Sequence, residues 1–439
     1  MPPVAGAHGE PPLSTTFLAT GRAASRAALW RLHGLAALLA SPFLIVAALT
    51  GLVYVAVPQV EAWQHGHLDR VAPAPWRPLE RLVAAAESAA PSGSVLQHVT
   101  PPSQLGDSLR VRFAPHHRPS GGEHVHDAAS GPVDVFVDPG TGAVLGVQPE
   151  SARFSHWARN LHSRLLQSEG WRWAIEWAAT CLLVMLVTGL GLALPVLGGL
   201  IRPAQGRARW RRWHLVGGVA LAGLSLVIVV TGLTWSQTAG AQIRALRDAT
   251  GQAPPRMPKD LRSEALSSGE PMLSWDALWA IAQREAPAQR LQIAPPKQAA
   301  GVWRINTPDR HRPWARVELA LHAQDGRVLW RSTWADQTWF SKATAIGIPF
   351  HRGEFGLWNQ ALLAVFGLGV LASTFTGWVM WWRRRSAGGP VLLRPTAWAE
   401  VRWRWPVLTT VLALCALVPL LAAFVCVVLL LEVLPRSRA

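Results

Sequence analysis

Five apolar runs carry no charged residue: Gly34–Val57, Trp177–Ile201, Leu215–Trp235, Phe355–Trp382 and Trp405–Leu431. A run of about 20 such residues crosses a bilayer as a helix, because no water is there to satisfy loose backbone groups. The chain is therefore expected to be an α-helical integral membrane protein with about five transmembrane helices. Composition agrees: 50% of the 439 residues are hydrophobic and 15% are charged. That is too apolar for an ordinary soluble enzyme and too polar for a bare helical bundle. The first run is too long for a signal-peptide core, and no convincing small-residue cleavage site follows it, so it reads as a retained span.

The net charge of +16 matters less than its placement. Arg22, Arg26 and Arg31 precede the first run. Arg202, Arg207, Arg209, Arg211 and Arg212 fill the short loop after the second, and Arg383, Arg384, Arg385, Arg394, Arg402 and Arg404 follow the fourth. Short basic loops stay in the cytoplasm. This sets the N-terminus inside and both long loops outside, as in a bacterial inner membrane with periplasmic loops. The basic residues are then topology signals, which argues against a nucleic-acid partner. A fifth span would leave Arg436 and Arg438 outside, against the rule. A re-entrant hairpin around Pro419 is the alternative.

The expected plan is a cytoplasmic tail (1–28), a first span (29–58), an outer module (59–155), then an interfacial helix and second span (156–201). A basic loop (202–213) leads to a third span (214–236), a second outer module (237–350) and a fourth span (351–382). A second basic loop (383–404) and a fifth span (405–434) close the chain. Each outer module reads as α+β. In the first, Pro78–Pro91 is a helix, the run ending at Phe113 alternates like a strand, and Val133 opens a hairpin turning at Asp138-Pro139-Gly140. In the second, Ser274 opens a helix, Val302 a strand, and Ala315 a hairpin turning at Asp325-Gly326. Gly142 and Gly326 stand 184 positions apart.

The same period recurs in four histidines. His33, His162, His214 and His351 each sit near the start of an apolar run, and each run holds a Thr-Gly step: Thr50-Gly51, Thr188-Gly189, Thr231-Gly232 and Thr376-Gly377. His33 and His214 are 181 apart, His162 and His351 are 189 apart. A repeat seen in both spans and loops predicts a tandem internal duplication. The arginine topology sorts the histidines into an inner pair, His33 with His214, and an outer pair, His162 with His351. Two imidazoles from facing helices fill both axial positions of a haem iron and favour electron transfer over oxygen binding. The expected cofactors are two bis-histidine haems of b type, with these four histidines as iron ligands. A lone histidine at a membrane edge is ordinarily a hydrated interfacial residue; four at matched positions favour ligation. His156 is the competitor for the outer site, on another face of the same helix.

Arg164 and Arg352 flank the outer histidines and are the expected haem-propionate anchors. Arg31 and Arg212 flank the inner ones and read equally as headgroup contacts. The Thr-Gly steps admit either a flat macrocycle or a neighbouring helix. Arg153, Arg159 and Arg172 are candidates to attract an anionic chelate. His116, His117, His124 and His126 lie in a glycine-rich loop with at most weak metal affinity. Cys181, Cys415 and Cys426 all fall in apolar runs, so no disulfide framework is expected. No dinucleotide or phosphate-binding motif, nucleophile elbow or flavin-sized segment occurs. No proposed span contains an acidic residue of the kind that marks an ion pathway.

The hairpins at Asp138 (DPGTGAVLG) and Ala323 (AQDGRVLW) resemble PepSY domains. RLHGL at Arg31, LHSRLL at Leu161, RRWHLVGG at Arg211 and FHRGEFG at Phe350 resemble the PepSY-associated transmembrane family over about residues 28–385. The resemblance implies an iron-regulated inner-membrane protein. Its best understood branch implies a di-haem reductase that releases iron from ferric siderophores in the periplasm. Implied partners are membrane lipid, a ferric chelate, and an electron donor that is a quinol or a cytoplasmic reductase. Two other readings stay open. One is a haem-free scaffold whose PepSY-like modules bind or regulate peptidases. The other is a cytochrome b subunit feeding a separate periplasmic enzyme.

Overall fold

The apolar runs fold as helices. The computed structural model describes residues 13–115, 131–199, 205–263, 272–287, 289–298, 300–385 and 405–433. The expectations placed on His116, His117, His124, His126, Arg202, Arg394, Arg402, Arg404, Arg436, Arg438 and the first twelve residues lie outside them. The helix α1 (Leu13–Val55) is followed closely by α2 (Val57–Asp69). After the first sheet segment come α4 (Phe154–Arg164), α5 (Trp173–Ala193), α6 (Arg207–Leu233) and α7 (Thr238–Ala249), with α3 (Leu79–Ala89) preceding the sheet. The later helices are α8 (Trp275–Glu285), α9 (Trp339–Arg352), α10 (Leu357–Arg385), α11 (Trp405–Leu417) and α12 (Pro419–Val433).

Among the described residues, four helical stretches are long and apolar enough to cross a membrane: Ala23–Asp69, Glu169–Gly198, Ala208–Leu233 and Leu357–Arg385. The fifth run is not one straight helix. It bends by 120° between Leu417 and Pro419, where the proline ring blocks the helix and disfavours helical backbone at the preceding residue. A pair bent in this way is either a broken span or a re-entrant loop. Glu176 also revises the sequence reading, since a buried carboxylate (2% exposed) does lie within the second apolar helix. It accepts backbone hydrogen bonds from Thr238 (3.0 Å) and Ala239 (2.7 Å) and one from the Thr238 hydroxyl. It thereby caps the N-terminus of α7.

The chain divides into two compact units. The first comprises Met1–Gly51, Gln167–Leu246 and Leu362–Ala439. Its core joins small residues of α1 (Ala36, Ala40, Ala48) to Ala178 and Cys181 of α5, Val229 and Leu233 of α6, and Phe424 of α12. Small side chains let membrane helices approach closely. Leu38, Leu49, Val187, Val227 and Leu368 face outward and exposed, as lipid tails permit.

The second unit comprises Leu52–Leu166 and Arg247–Ala361. It holds β1 (Ser94–Thr100), β2 (Leu109–Pro115), β3 (Val133–Val137), β4 (Val144–Pro149), β5 (Gln292–Ala294), β6 (Trp303–Asn306), β7 (Val317–Leu321) and β8 (Val328–Thr333). The two stretches of strands form one eight-stranded antiparallel sheet in the order β4-β3-β2-β1-β5-β6-β7-β8. They join where β1 meets β5, through Val99 opposite Ile293. Alternation puts Leu109, Val111 and Phe113 under α3 and turns Arg110 and Arg112 to the other face. Leu278 and Ala282 of α8 cover Ile293, Ile305, Leu319 and Leu321 in the same way. The pairings of β3 with β4 and β7 with β8 share one register. Val133 faces Pro149 as Val317 faces Thr333, and each ladder slips at the same point, before Val137 and before Leu321.

Candidate functional site

In the first unit, α1 carries His33 and α6 carries His214. Their ring centroids lie 6.1 Å apart with planes at 87°. An imidazole nitrogen sits about 2 Å from a bound metal and about 1 Å from its own ring centre, so two rings sharing one iron have centroids about 6 Å apart. The inner pair has that spacing.

Each ring is also held from behind. His33 Nδ1 meets Thr188 Oγ1 at 3.2 Å, and His214 Nδ1 meets Thr376 Oγ1 at 3.1 Å and the Ser373 carbonyl at 3.1 Å. Both threonine hydroxyls spend their own proton on a helix carbonyl, Thr188 on Val184 (2.6 Å) and Thr376 on Ala372 (2.9 Å). Their oxygens therefore accept, and the tautomer assigned by these partners carries the proton on Nδ1. The lone pair is then on Nε2, the nitrogen left for a metal. The next residue in each step is glycine. A Cβ on Gly189 would stand 3.1 Å from His33 Cε1, and one on Gly377 would stand 3.7 Å from His214 Cε1. The donor set and its support thus fit a bis-histidine haem.

In the second unit, His162 and His351 each lie in the last turn of a short helix, α4 and α9. Neither is at the head of the apolar helix that follows. Leu165 and Leu166 adopt left-handed backbone after α4, and Gly353 and Gly356 do so after α9, so each histidine precedes a sharp break. Burial, and after it the charge of His351, lowers the His162 pKa to about 4. The ring of Tyr54 lies 6.5 Å from that of His162, tilted by 34°. Arg352 Nε donates to Tyr54 Oη at 3.1 Å and pairs with Glu354 at 3.0 Å. His156, the competing ligand, receives a hydrogen bond from Arg159 on its Nδ1 at 3.2 Å.

The arginines are less available than their sequence positions suggest. Arg153 is drawn to Glu61 (3.5 Å) and Asp134 (3.6 Å), Arg159 to Glu150 (3.3 Å) and Arg172 to Glu169 (3.4 Å). Arg352 shares its charge with Glu354, Arg164 is half-buried, and Arg31 is 4% exposed. Among the described residues, no group of three or more His, Cys, Asp or Glu side chains is placed to hold a metal ion.

The model of the PepSY-associated TM region matches residues 30–384. The chain belongs to this family. No curated protein matches it. As a PepSY-associated TM protein it is a multi-pass membrane protein that combines apolar helices with an antiparallel sheet. The matched segment takes in all four histidines, with Thr188 and Thr376, and leaves α11 and α12 beyond its end.

Two features of these sites were not read from the sequence. Tyr54 is the only tyrosine in the chain, four residues after Thr50, and that rarity inside an apolar run was the available signal. The pairing of His33 with Thr188 and of His214 with Thr376 needs tertiary contact and left no local trace.

Proposed function

We propose that this protein is a di-haem b electron-transfer protein of the bacterial inner membrane that reduces ferric chelates, ferric siderophores among them, at the periplasmic face. The observation that carries the reading is the inner pair: two imidazoles at the spacing of axial ligands, each with its Nδ1 within hydrogen-bond reach of a threonine hydroxyl. Bound haem with both axial positions filled supplies reversible one-electron transfer.

The chain's own residues do the rest. His33 and His214 would hold one group, His162 and His351 the other. Tyr54, braced by Arg352, shields the ring of His162. Arg164 and Arg352 would meet propionates, Arg352 in competition with Glu354. The arginine topology assigns the inner pair to the cytoplasmic leaflet and the outer pair to the periplasmic side. The substrate iron gains one electron from a quinol or a cytoplasmic reductase. Fe(II) is softer and less charged than Fe(III), so a hard-oxygen chelate releases it. The shared register of the two hairpins, offset by 184 residues, supports a tandem duplication with two PepSY-like modules fused into one sheet.

The test is quantitative haem analysis of the purified full chain. Two b-type haems per chain and oxidation of the reduced protein by a ferric siderophore are expected. His162→Ala or His351→Ala should remove one haem and leave the other. A colourless wild-type protein would overturn the proposal and favour the scaffold reading.

A further inference from the structure

We infer that Thr188 and Thr376 are positioning residues that fix the tautomer of His33 and His214 and hold down the reduction potential of the site those histidines form. The inference rests on the haem reading for its redox part alone; the tautomer part stands on the hydrogen bonds.

Each threonine sits one turn beyond a carbonyl that shares the work. The Ser373 carbonyl lies 3.1 Å from His214 Nδ1, and the Met185 carbonyl is a second acceptor for His33. Met185 and Ser373 each precede their threonine by three residues. The same three-part cradle of carbonyl, hydroxyl and glycine therefore faces both rings. Packing alone does not demand this match, because valine would fill the same volume without an acceptor.

The chemistry follows from the direction of the bond. An imidazole that donates Nδ1–H to an acceptor becomes a more basic ligand through Nε2. A more basic ligand favours the more highly charged ferric state and lowers the potential. Losing the hydroxyl leaves only the carbonyl as acceptor and weakens the preference against the other tautomer, in which Nε2 carries the proton and cannot bind metal.

The test uses Thr188→Val and Thr376→Val in the purified full chain. In the haem-loaded protein each change should raise the midpoint potential of one haem, leave the other unmoved, and weaken retention of the affected haem by about tenfold. Thr188→Ser and Thr376→Ser should restore both properties. Thr374→Val is the control, since the Thr374 hydroxyl is returned to the Val370 carbonyl (2.8 Å) on the same helix. In the haem-free chain, imidazole nitrogen chemical shifts should report Nδ1–H tautomers for His33 and His214, with the Nε2–H form growing in the valine variants. Unchanged potentials in a wild-type background that holds two haems would overturn the redox role. Unchanged tautomers would overturn the lock itself. A wild-type chain that binds no haem would sink the proposed function while leaving the tautomer measurement to decide the lock.

Discussion

The phenol of Tyr54 accepts a hydrogen bond from Arg352 Nε at 3.1 Å while its ring lies 6.5 Å from that of His162. One side chain thus lies beside one histidine of the outer pair and braces the residue next to the other. Tyr54→Phe keeps the ring and removes the acceptor. Arg352 retains Glu354, so the expected loss of stability is only about 1 kcal/mol, read as a lowered thermal midpoint in detergent. Under the proposed function, the outer haem should wash out first on dialysis. Preferential loss of the inner haem would contradict the assignment of Tyr54.

Gly142 and Gly326 hold equivalent places in the two hairpins but face different surroundings. Both have positive φ, +78° and +71°, so alanine costs about 1 kcal/mol at either position on backbone grounds. A Cβ on Gly142 meets only the flexible Arg77 side chain, at 3.6 Å or beyond. A Cβ on Gly326 would collide with Ile281 Cδ1 and stand 2.9 Å from Leu273 Cδ1. Gly326→Ala should therefore be the more destabilising by about 1–3 kcal/mol, the range for overpacking. Comparison of the two variants' melting midpoints checks it; equal shifts would mean that Ile281 moves aside at little cost.

The apolar runs and the strong hairpins were legible because one residue type repeats with the period of one element. Phe136 and Ala320 sit in alternating runs that end in glycine turns, and the spans announce themselves by the lack of charge. Two strands were not legible. Ser94–Thr100 mixes Gln97 and His98 into its alternation and carries a bulge between Leu96 and His98; Gln292–Ala294 is three residues long. Their joining of both modules into a single sheet is a long-range event with no local signature. Glu176 escaped because it stands one residue before the uncharged run, and its duty as a cap is set by Thr238, 62 positions on. For the sites, the histidine period and the expected pairs came from sequence; the threonine cradles and Tyr54 came from packing.

Glu176 makes its own prediction. Its carboxylate accepts from two backbone N–H groups and a hydroxyl at 2% exposure. Glu176→Gln places an amide N–H where an acceptor is required and should cost about 2 kcal/mol; Glu176→Ala, which leaves the N-terminus of α7 uncapped, should cost as much or more. Hydrogen exchange at Thr238 and Ala239 should accelerate in both. Unaltered protection would mean that water replaces the cap.

Acid should weaken the sheet unit in two stages. Burial, then the charges of Arg112 and Arg110 against that of Asp134, lower the His98 pKa from 6.5 to about 4. Its Nε2 accepts from Gln292 at 3.2 Å, a bond that protonation destroys. The unfolded chain takes up this proton near pH 6.5 and the folded chain does not, so stability falls as pH drops from 6.5 towards 4. The full shift is discounted for partial exposure to roughly 2 kcal/mol. Asp134 governs the second stage. Burial alone would raise its pKa, but the paired hydrogen bonds from Arg112 (2.8 and 3.0 Å) and the charges of Arg112, Arg110 and Arg153 bring it below the usual carboxylate value. Its contribution is present above about pH 4 and is lost as pH falls further. His98→Gln should flatten the melting midpoint between pH 6.5 and 4 relative to wild type. Asp134→Asn should lose about 1.5–3 kcal/mol already at pH 7, because it removes the charge-assisted hydrogen bonds to Arg112 and leaves that guanidinium, 27% exposed, with Glu150 at 3.3 Å. Melting curves that run parallel for wild type and His98→Gln across that interval would show that another group carries the first stage.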